Sequence, residues 1–494
     1  MNAPHCHALY SVAQVRAMDR RAIEELGIPG YELMRRAAAA AFASLRRHWP
    51  QVQRIAVYCG PGNNGGDGYL LALLAHEAGL AVEAHALAEP TGKGDAASAR
   101  AACERAGVPV HRWEETSSLP EADVHVDALY GTGLDRPPQP VAAALIERLN
   151  RSGKPTLALD VPSGLNADTG HCPGVAIRAS LTVSFIASKR GLHTGQANAH
   201  TGRIELATLG LPESVWQEAP DARLLEAATL PPRPRDAHKG RNGHVLAVGG
   251  DHGTAGAIRL CGEAALRGGA GLVSVATRAE HLFALNAARP ELMAHEVGGP
   301  QALAPLLERA TVLAVGPGLG QGAWGHALWL TALDSPLPLV LDADGLNLLA
   351  AEPRRFDRAR QVVLTPHPGE AARLLGCAVA DIERDRFAAA RSLARRFDAV
   401  AVLKGAGSLI ADPHGRLDVC PWGNPGMASG GMGDLLTGVI AALLAQGCSA
   451  RDAACLGVGL HARAGDHAAR KGERGLIASD LLSPLRRLLN GLDA

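Results

Sequence analysis

The chain has 494 residues, which is enough for two or more domain cores rather than one. Lys and Arg total 49, as do Asp and Glu, so the formal net charge is zero and no global basic field exists to draw in nucleic acid or an anionic membrane surface. Apolar residues make up 47%, aromatics only 3%, and Gly numbers 57, a composition that suits small-residue helices packed closely on sheets.

At the N-terminus His5-Cys6-His7 reads as a frayed end rather than a metal site. Ser11-Val12-Ala13-Gln14 is a capping box, and Val12, Val15, Ala22 and Leu26 continue at helical spacing behind it. The pattern then alternates: a strand over 54–60, a helix over 69–79, a strand over 123–130, a helix over 141–150, and strands over 156–161, 181–186 and 203–209. Alternation of this kind predicts a mainly parallel α/β sheet with helices on both faces. Residues 215–240 contain Leu230-Pro231-Pro232-Arg233-Pro234-Arg235 and predict a semi-stiff linker between domains over 1–220 and 225–494.

In the first half, Gly60-Pro61-Gly62-Asn63-Asn64-Gly65-Gly66-Asp67-Gly68 follows a strand and precedes a helix. Glycine permits close backbone approach, and a helix N-terminus offers free N–H groups and a positive dipole end; together they can cradle phosphate. The run is neither GxGxxG nor GxxxxGK(S/T), so the two common nucleotide fingerprints do not apply. Two further loops, 127–134 and 160–164, bring Asp127, Asp160 and Ser163 to the strand carboxyl edge, where doubly wound sheets bind ligands. With Asn64 they supply hard oxygen atoms suited to a hard cation, although each aspartate taken singly reads as a turn residue or helix cap.

Segments 63–68, 127–133, 160–164 and 184–191 resemble the NAD(P)H-hydrate epimerase family, to which the string GPGNNGGDG is highly specific. The resemblance implies a Rossmann-like doubly wound domain with a potassium ion held by Asn64, Asp127 and Ser163. It implies that substrate is held by Asn63, Asn64, Gly65, Gly66 and Asp67 and by Gly131, Thr132, Gly133, Leu134, Asp135, Arg136 and Pro137. It places Asp160 against the reacting hydrate, where a carboxylate can shuttle the protons needed for inversion at the hydroxylated ring carbon. Lys189 either assists or is a solvated lysine near the site.

The alternation restarts with buried strands expected over 244–248, 272–276, 312–315, 339–341, 362–364 and 400–403, most of them separated by helices. The run Asn424-Pro425-Gly426-Met427-Ala428-Ser429-Gly430-Gly431-Met432-Gly433-Asp434 opens a helix over 434–446. Amides of a Gly run at a helix start can form an anion hole for a transferring phosphoryl group. Asp434 beside them can accept the proton of an attacking hydroxyl, or cap the helix, or do both. Lys404-Gly405-Ala406-Gly407-Ser408 and Gly316-Pro317-Gly318-Leu319-Gly320 also follow strands, and His367 stands in a constrained turn at another strand end.

The Gly431-to-Asp434 step is similar to the ribokinase-like superfamily, and with 238–240, 315–320, 341–344, 364–370 and 424–438 it resembles that superfamily's NAD(P)H-hydrate dehydratase branch. The resemblance implies a ribokinase-like second domain in which a nucleoside phosphate, carried with Mg²⁺, phosphorylates the hydrate hydroxyl and phosphate then leaves. ADP giving AMP is the expected nucleotide, because fused chains of this kind are typical of bacteria. Lys404, Gly405, Ala406, Gly407, Ser408 and Gly433 would bind the nucleotide, and Ala257, Gly318, His367 and Asp434 would face the hydrate. One departure is that 249–257 lacks the Tyr often found before Gly-Ala in relatives.

The whole then reads as a metabolite-repair enzyme, an isomerase joined to a lyase, acting on hydrated NADH and NADPH with only small-molecule partners and assembling as a homo-oligomer. Two rivals stand beside it, a vitamin-precursor kinase and a nucleotide-binding scaffold. No run approaches the ~20 apolar residues of a membrane span, and the N-terminus lacks a signal-peptide core, so a cytoplasmic chain with reduced cysteines is expected.

Overall fold

The computed structural model describes residues 7–90 and 94–492; His5 and Cys6 of the His-Cys-His run lie outside the described residues. The chain folds as two compact units, residues 1–223 and 224–494. No helix among the described residues is long and apolar enough to cross a membrane, and the described cysteines are free.

In the first unit β1 (Ala8–Tyr10) leads into α1 (Val12–Glu24), and the capping box forms: Ser11 Oγ accepts from Gln14 N at 3.3 Å and Gln14 Oε1 accepts from Ser11 N at 2.9 Å. α1 ends at Glu24, so Leu26 is exposed instead of extending the buried stripe. The chain continues through α2 (Gly30–His48), β2 (Arg54–Cys59), α3 (Asn63–Glu77), β3 (Ala81–Ala86), α4 (Asp95–Arg105), β4 (Val110–Arg112), β5 (Val124–Ala128), α5 (Pro140–Arg151) and β6 (Thr156–Leu159). It closes with β7 (Leu181–Phe185), β8 (Ser188–Lys189), β9 (Arg203–Ala207) and β10 (Ala222–Leu224). Strands in the order β4-β3-β2-β5-β6-β7-β9 make one sheet with parallel neighbours. Crossovers run from β2 towards β3 and β4, and from β5 towards β6 and β7, so the strand order reverses between β2 and β5. Ligand crevices form at such a switch point, outside the strand carboxyl ends.

Three expectations change here. The helix expected from 69 begins at Asn63, so residues 63–68 of the Gly run are its first turns rather than a free loop. Tertiary packing overrides the poor helix propensity of glycine: a Cβ on Gly65 would lie 2.0 Å from Gly60 O, and one on Gly68 would lie 2.6 Å from Ala128 Cβ. The segment 215–240 is not all linker, because β10 pairs antiparallel with β1 through Ala8↔Arg223 and Leu9↔Ala222. Three residues are too few to show a periodicity. Helices α2 and α4, with β3 and β4, add to the elements expected from sequence; the core side of α2 is formed by Leu33, Met34, Ala37, Ala38, Ala41, Ser44 and Leu45.

The second unit runs through β11 (His244–Val248), α6 (Ala255–Arg267), β12 (Leu272–Thr277), α7 (Leu282–Ala288), β13 (Met293–Glu296), α8 (Pro300–Leu307), β14 (Val312–Val315), α9 (Ala323–Asp334), β15 (Leu339–Leu341) and α10 (Ala343–Ala351). It continues through β16 (Val362–Leu364), α11 (Pro368–Leu375), α12 (Val379–Arg384), α13 (Arg386–Phe397), β17 (Val400–Leu403), β18 (Leu409–Ala411), β19 (Leu417–Val419), α14 (Met432–Ala445), α15 (Ala450–Ala469) and α16 (Leu482–Leu489). The order is β13-β12-β11-β14-β15-β16-β17-β18-β19, parallel through β17 and antiparallel thereafter. The six buried strands expected from sequence are all present. α14 is buried over most of its length and lies hard against α6, since a Cβ on Gly438 would meet Cys261 O at 2.1 Å.

Gly65→Ala should destabilise the protein by about 2 kcal/mol or more through overpacking against the Gly60 carbonyl. Urea unfolding followed on the first unit checks this; an unmoved midpoint would mean α3 does not rest on that carbonyl.

Candidate functional site

At the switch point of the first unit lies a cavity of about 660 Å³. Asn63, Asn64, Asp67, Asp160 and Lys189 line it, as do Gly131, Thr132, Gly133, Leu134, Asp135, Arg136 and Pro137. Gly65 and Gly66 do not; they face the protein interior, where a Cβ on Gly66 would meet Met34 Sδ at 2.5 Å.

Asp160 follows β6 with φ +65°, the left-handed region that Asp tolerates better than most residues. Its backbone N donates to Val183 O at 2.8 Å, and its Oδ1 accepts from Phe185 N at 3.1 Å and from Lys189 Nζ. Lys189 is 1% exposed and also donates to Phe185 O at 2.7 Å and Ser184 Oγ at 3.2 Å. It is therefore a buried partner of Asp160, not a solvated lysine. Burial, then the charges of Asp160 and Asp19, hold the Asp67 carboxyl well above the ordinary range, with Lys189 offsetting part.

Asp127 is fully buried. Its Oδ1 accepts from Ser163 Oγ at 2.6 Å and Leu129 N at 3.2 Å, and its Oδ2 from Ser163 N at 2.8 Å. Burial pushes its pKa up to about 6 despite these donors. Ser163 Oγ also accepts from Tyr130 N at 2.8 Å, so one hydroxyl ties the loop after β5 to the loop after β6. Asn64 is buried, and neither its Oδ1 nor its Nδ2 has a hydrogen-bond partner among the described residues. A buried amide oxygen without a donor fits a hard-cation ligand, because such a group is costly to leave unmatched.

Sequence reasoning missed the wall supplied by α1 and α2: Val15, Arg16, Asp19 and Ile23 from one, Leu33, Met34 and Ala37 from the other. A signal was present. Val15, Asp19 and Ile23 recur every four residues and so share a helix face on which a carboxylate interrupts apolar side chains.

In the second unit Gly431, at φ +90°, is the N-cap of α14, so Asp434 is the helix's third residue and does not cap it. Burial, then the Asp342 charge, push Asp434 up to about 6, with Lys404 offsetting part. Lys404, just past β17, donates from Nζ to Asp342 Oδ1 at 2.7 Å and stands 3.8 Å from Glu370 Oε2. A Cβ on Gly433 would lie 3.2 Å from Lys404 Nζ, which places the ammonium one residue from Asp434. The turn after Lys404 is closed by Ser408, whose Oγ donates to Gly405 O at 2.9 Å and accepts from Gly405 N at 3.2 Å; Ala406 and Gly407 lie within it.

Gly318, at φ +58°, is bound through its carbonyl by Thr254 Oγ1 at 2.8 Å, and Thr254 is the N-cap of α6, which carries Ala257. His367 is the N-cap of α11 rather than a plain turn residue: its Nδ1 accepts from Gly369 N at 3.0 Å and Glu370 N at 3.3 Å. The structure thus joins Lys404, Gly433 and Asp434 directly, and reaches His367 through Glu370. It adds Asp342 and Thr437, which lie in segments that carried the resemblance but were given no role of their own.

Ser163→Ala should cost about 1–3 kcal/mol, because Tyr130 N–H and the Asp127 carboxylate both lose a buried partner. It should also raise protease sensitivity in the Gly131-to-Pro137 loop. Equal urea midpoints and equal cleavage rates would show that the hydroxyl ties nothing.

Comparison with known proteins accords with this geometry. The family described as YjeF-related protein N-terminus matches residues 30–191, and the family described as NAD(P)H-hydrate dehydratase matches residues 245–487. The Bifunctional NAD(P)H-hydrate repair enzyme Nnr of Coxiella burnetii is 49% identical over 98% of this chain and 99% of its own length. The protein of the same description from Escherichia coli is 46% identical over 98% of this chain and 94% of its own length. A solved ADP/ATP-dependent NAD(P)H-hydrate dehydratase from Bacillus subtilis, co-crystallized with ATP/Mg²⁺, is 29% identical, with a TM-score of 0.49 over 54% of this chain and 95% of that one. Two domain matches in series and high identity along nearly the whole length leave one assignment: the chain belongs to the family of bifunctional NAD(P)H-hydrate repair enzymes.

Proposed function

We propose that this chain returns hydrated NADH and NADPH to the working cofactors in two steps. The first unit interconverts the two epimers of the hydrate, and the second dehydrates the S epimer at the expense of ADP, giving AMP and phosphate. The observation that carries the reading is Asp434 beside Gly433, with the Lys404 ammonium held against that same turn.

In the second unit the helix-start amides and Lys404 neutralise the phosphates of ADP, which enters as its magnesium complex. Asp434 takes the proton of the hydrate hydroxyl as that oxygen attacks the terminal phosphorus and the bond to the AMP oxygen breaks. Hydroxide is a poor leaving group and phosphate a good one. The ring nitrogen lone pair then expels phosphate, and loss of a ring proton restores the double bond. Gly405, Ala406, Gly407 and Ser408 hold the nucleotide in this reading, while Ala257, Gly318 and His367 face the hydrate.

In the first unit Asp160 contacts the hydroxylated carbon and moves the proton on its oxygen. Lys189 holds Asp160 Oδ1, which leaves Oδ2 to act. Asn63, Asn64, Asp67 and the Gly131-to-Pro137 loop hold the substrate. Potassium fits Asn64, Asp127 and Ser163, with the unmatched Asn64 Oδ1 as support. When bound it supplies a fixed positive charge beside the cavity.

Incubation with hydrated NADH, ADP and Mg²⁺ should restore NADH absorbance. Asp434→Ala should lower kcat by about 10²–10⁴ with the fold intact, and wild-type kcat should fall as pH drops below about 6, where Asp434 takes up its proton. Asp160→Ala should stop epimer interconversion while the S epimer is still dehydrated. Accumulation of a stable phosphorylated hydrate would make the chain a kinase instead. Separately, KCl should raise the melting temperature of the first unit by a few degrees over choline chloride through ligand linkage, and Asn64→Ala should erase the difference. Equal melting in the two salts would remove potassium from the account.

A further inference from the structure

Asp342 stands at the end of β15, before the first turn of α10, and is 1% exposed. Both of its carboxylate oxygens are committed: Oδ1 accepts from Lys404 Nζ at 2.7 Å, and Oδ2 accepts from Thr437 Oγ1 at 2.9 Å. Lys404 belongs to the strand edge, whereas Thr437 lies on α14 one turn beyond Gly433. Asp342 Oδ2 also approaches Gly433 itself, 3.4 Å from where a Cβ would stand. The next residue, Ala343, is held at φ +48°, unusual for a residue with a side chain. Even the main chain is fixed here, since a Cβ on Gly316 would lie 1.8 Å from Asp342 O.

We propose that Asp342 is a positioning residue of the second site, holding the Lys404 ammonium and the first turns of α14 in one register so that the cation stands beside Gly433 and Asp434. This rests on the functional reading given above. A buried ion pair alone is weak evidence of function, because desolvation offsets much of its attraction. The arrangement here differs from a plain ion pair in that the carboxylate spans two elements, and its cation faces the glycine at the helix start.

The electrostatics agree. The Asp342 charge is the largest influence after burial on Asp434, which stands at about 6. No other titratable group nearby replaces it for Asp434, while Glu370 gives Lys404 a second anion. Burial keeps Cys261 of α6 in its thiol form and holds His461 of α15 down to about 4, while Glu370 of α11 is 3.8 Å from Lys404. Without the Asp342 charge the Asp434 carboxyl should become more acidic, and the lysine should lose its proton more readily.

The test compares wild type, Asp342→Asn and Thr437→Val. In Asp342→Asn, kcat for NADH restoration should fall about 100-fold, the affinity for ADP should change less than about 3-fold, and the acid limb of the pH profile should move down by about one unit. In Thr437→Val, which keeps the charge, kcat should fall several-fold with the acid limb unmoved. A purely structural role would lower the folded fraction and move neither limb. An independent readout is acylation of Lys404 followed by mass spectrometry, which should run about tenfold faster in Asp342→Asn. A wild type that fails to restore NADH defeats the functional reading, while the labelling rate still judges Asp342. Unchanged labelling, or an acid limb that stays in place in Asp342→Asn, overturns the proposal; so does full activity in Thr437→Val.

Discussion

Backbone pressed on backbone at a strand end is the constraint on which both sites depend. In the first unit a Cβ on Gly60 would stand 1.8 Å from Leu129 O, and in the second a Cβ on Gly316 would stand 1.8 Å from Asp342 O. No side chain fits in either gap, so the loops after neighbouring parallel strands can close on one another. That closeness sets the separation of the functional groups. Asn64 and Asp160 flank Gly131, and Lys404 and Asp342 both reach Gly433. The edge of a parallel sheet offers a crevice in any such fold; the glycines let the loops that border it touch.

The close approach of charged groups brings an electrostatic consequence. Each site has a lysine bonded to one carboxylate, Lys189 to Asp160 and Lys404 to Asp342, with further carboxylates close by. Burial is the larger cause that raises a carboxylate here, and one cation among several anions leaves it underneutralised as well. Asp67 carries that excess in the first unit and Asp434 in the second. For Asp434 the outcome is a group that changes protonation near 6, the range in which a carboxylate can take a proton and give it up again.

The strands were legible because parallel strands covered on both faces are continuous apolar runs, such as 312–315 and 400–403. The strand-end loops were legible because few residue strings concentrate Gly, Asn and Asp as 60–68 does. What those glycines do was not. Local propensity reads Gly65 and Gly66 as ligand-facing loop, whereas in the fold they are helix backbone packed on Gly60 O and Met34 Sδ. His367 gave no capping signal because histidine is a rare N-cap. Asp342 and Thr437 are 95 residues apart, and nothing local to either announces the other. For Asp19 the helical spacing with Val15 and Ile23 is plain in the sequence, but that this face of α1 meets the cavity is decided by packing.

The two carboxylates proposed to react, Asp160 and Asp434, are prepared in different ways. Asp160 has Oδ1 engaged by Phe185 N and by Lys189, so its direction is fixed and Oδ2, 3.6 Å from where a Gly131 Cβ would stand, is turned to the cavity. Its backbone is also held at φ +65° by the bond to Val183 O, so the residue cannot relax without losing that contact. Asp434 has no such tether: among the described residues no hydrogen bond holds its carboxylate, and only its place in the first turn of α14 aims it. Fixing direction suits a group that must reach one carbon from one side. Leaving both oxygens open suits a group that must first take a proton and then stand clear as phosphate departs. In the second unit the burden of geometry therefore passes from Asp434 itself to the residues that hold the turn beneath it.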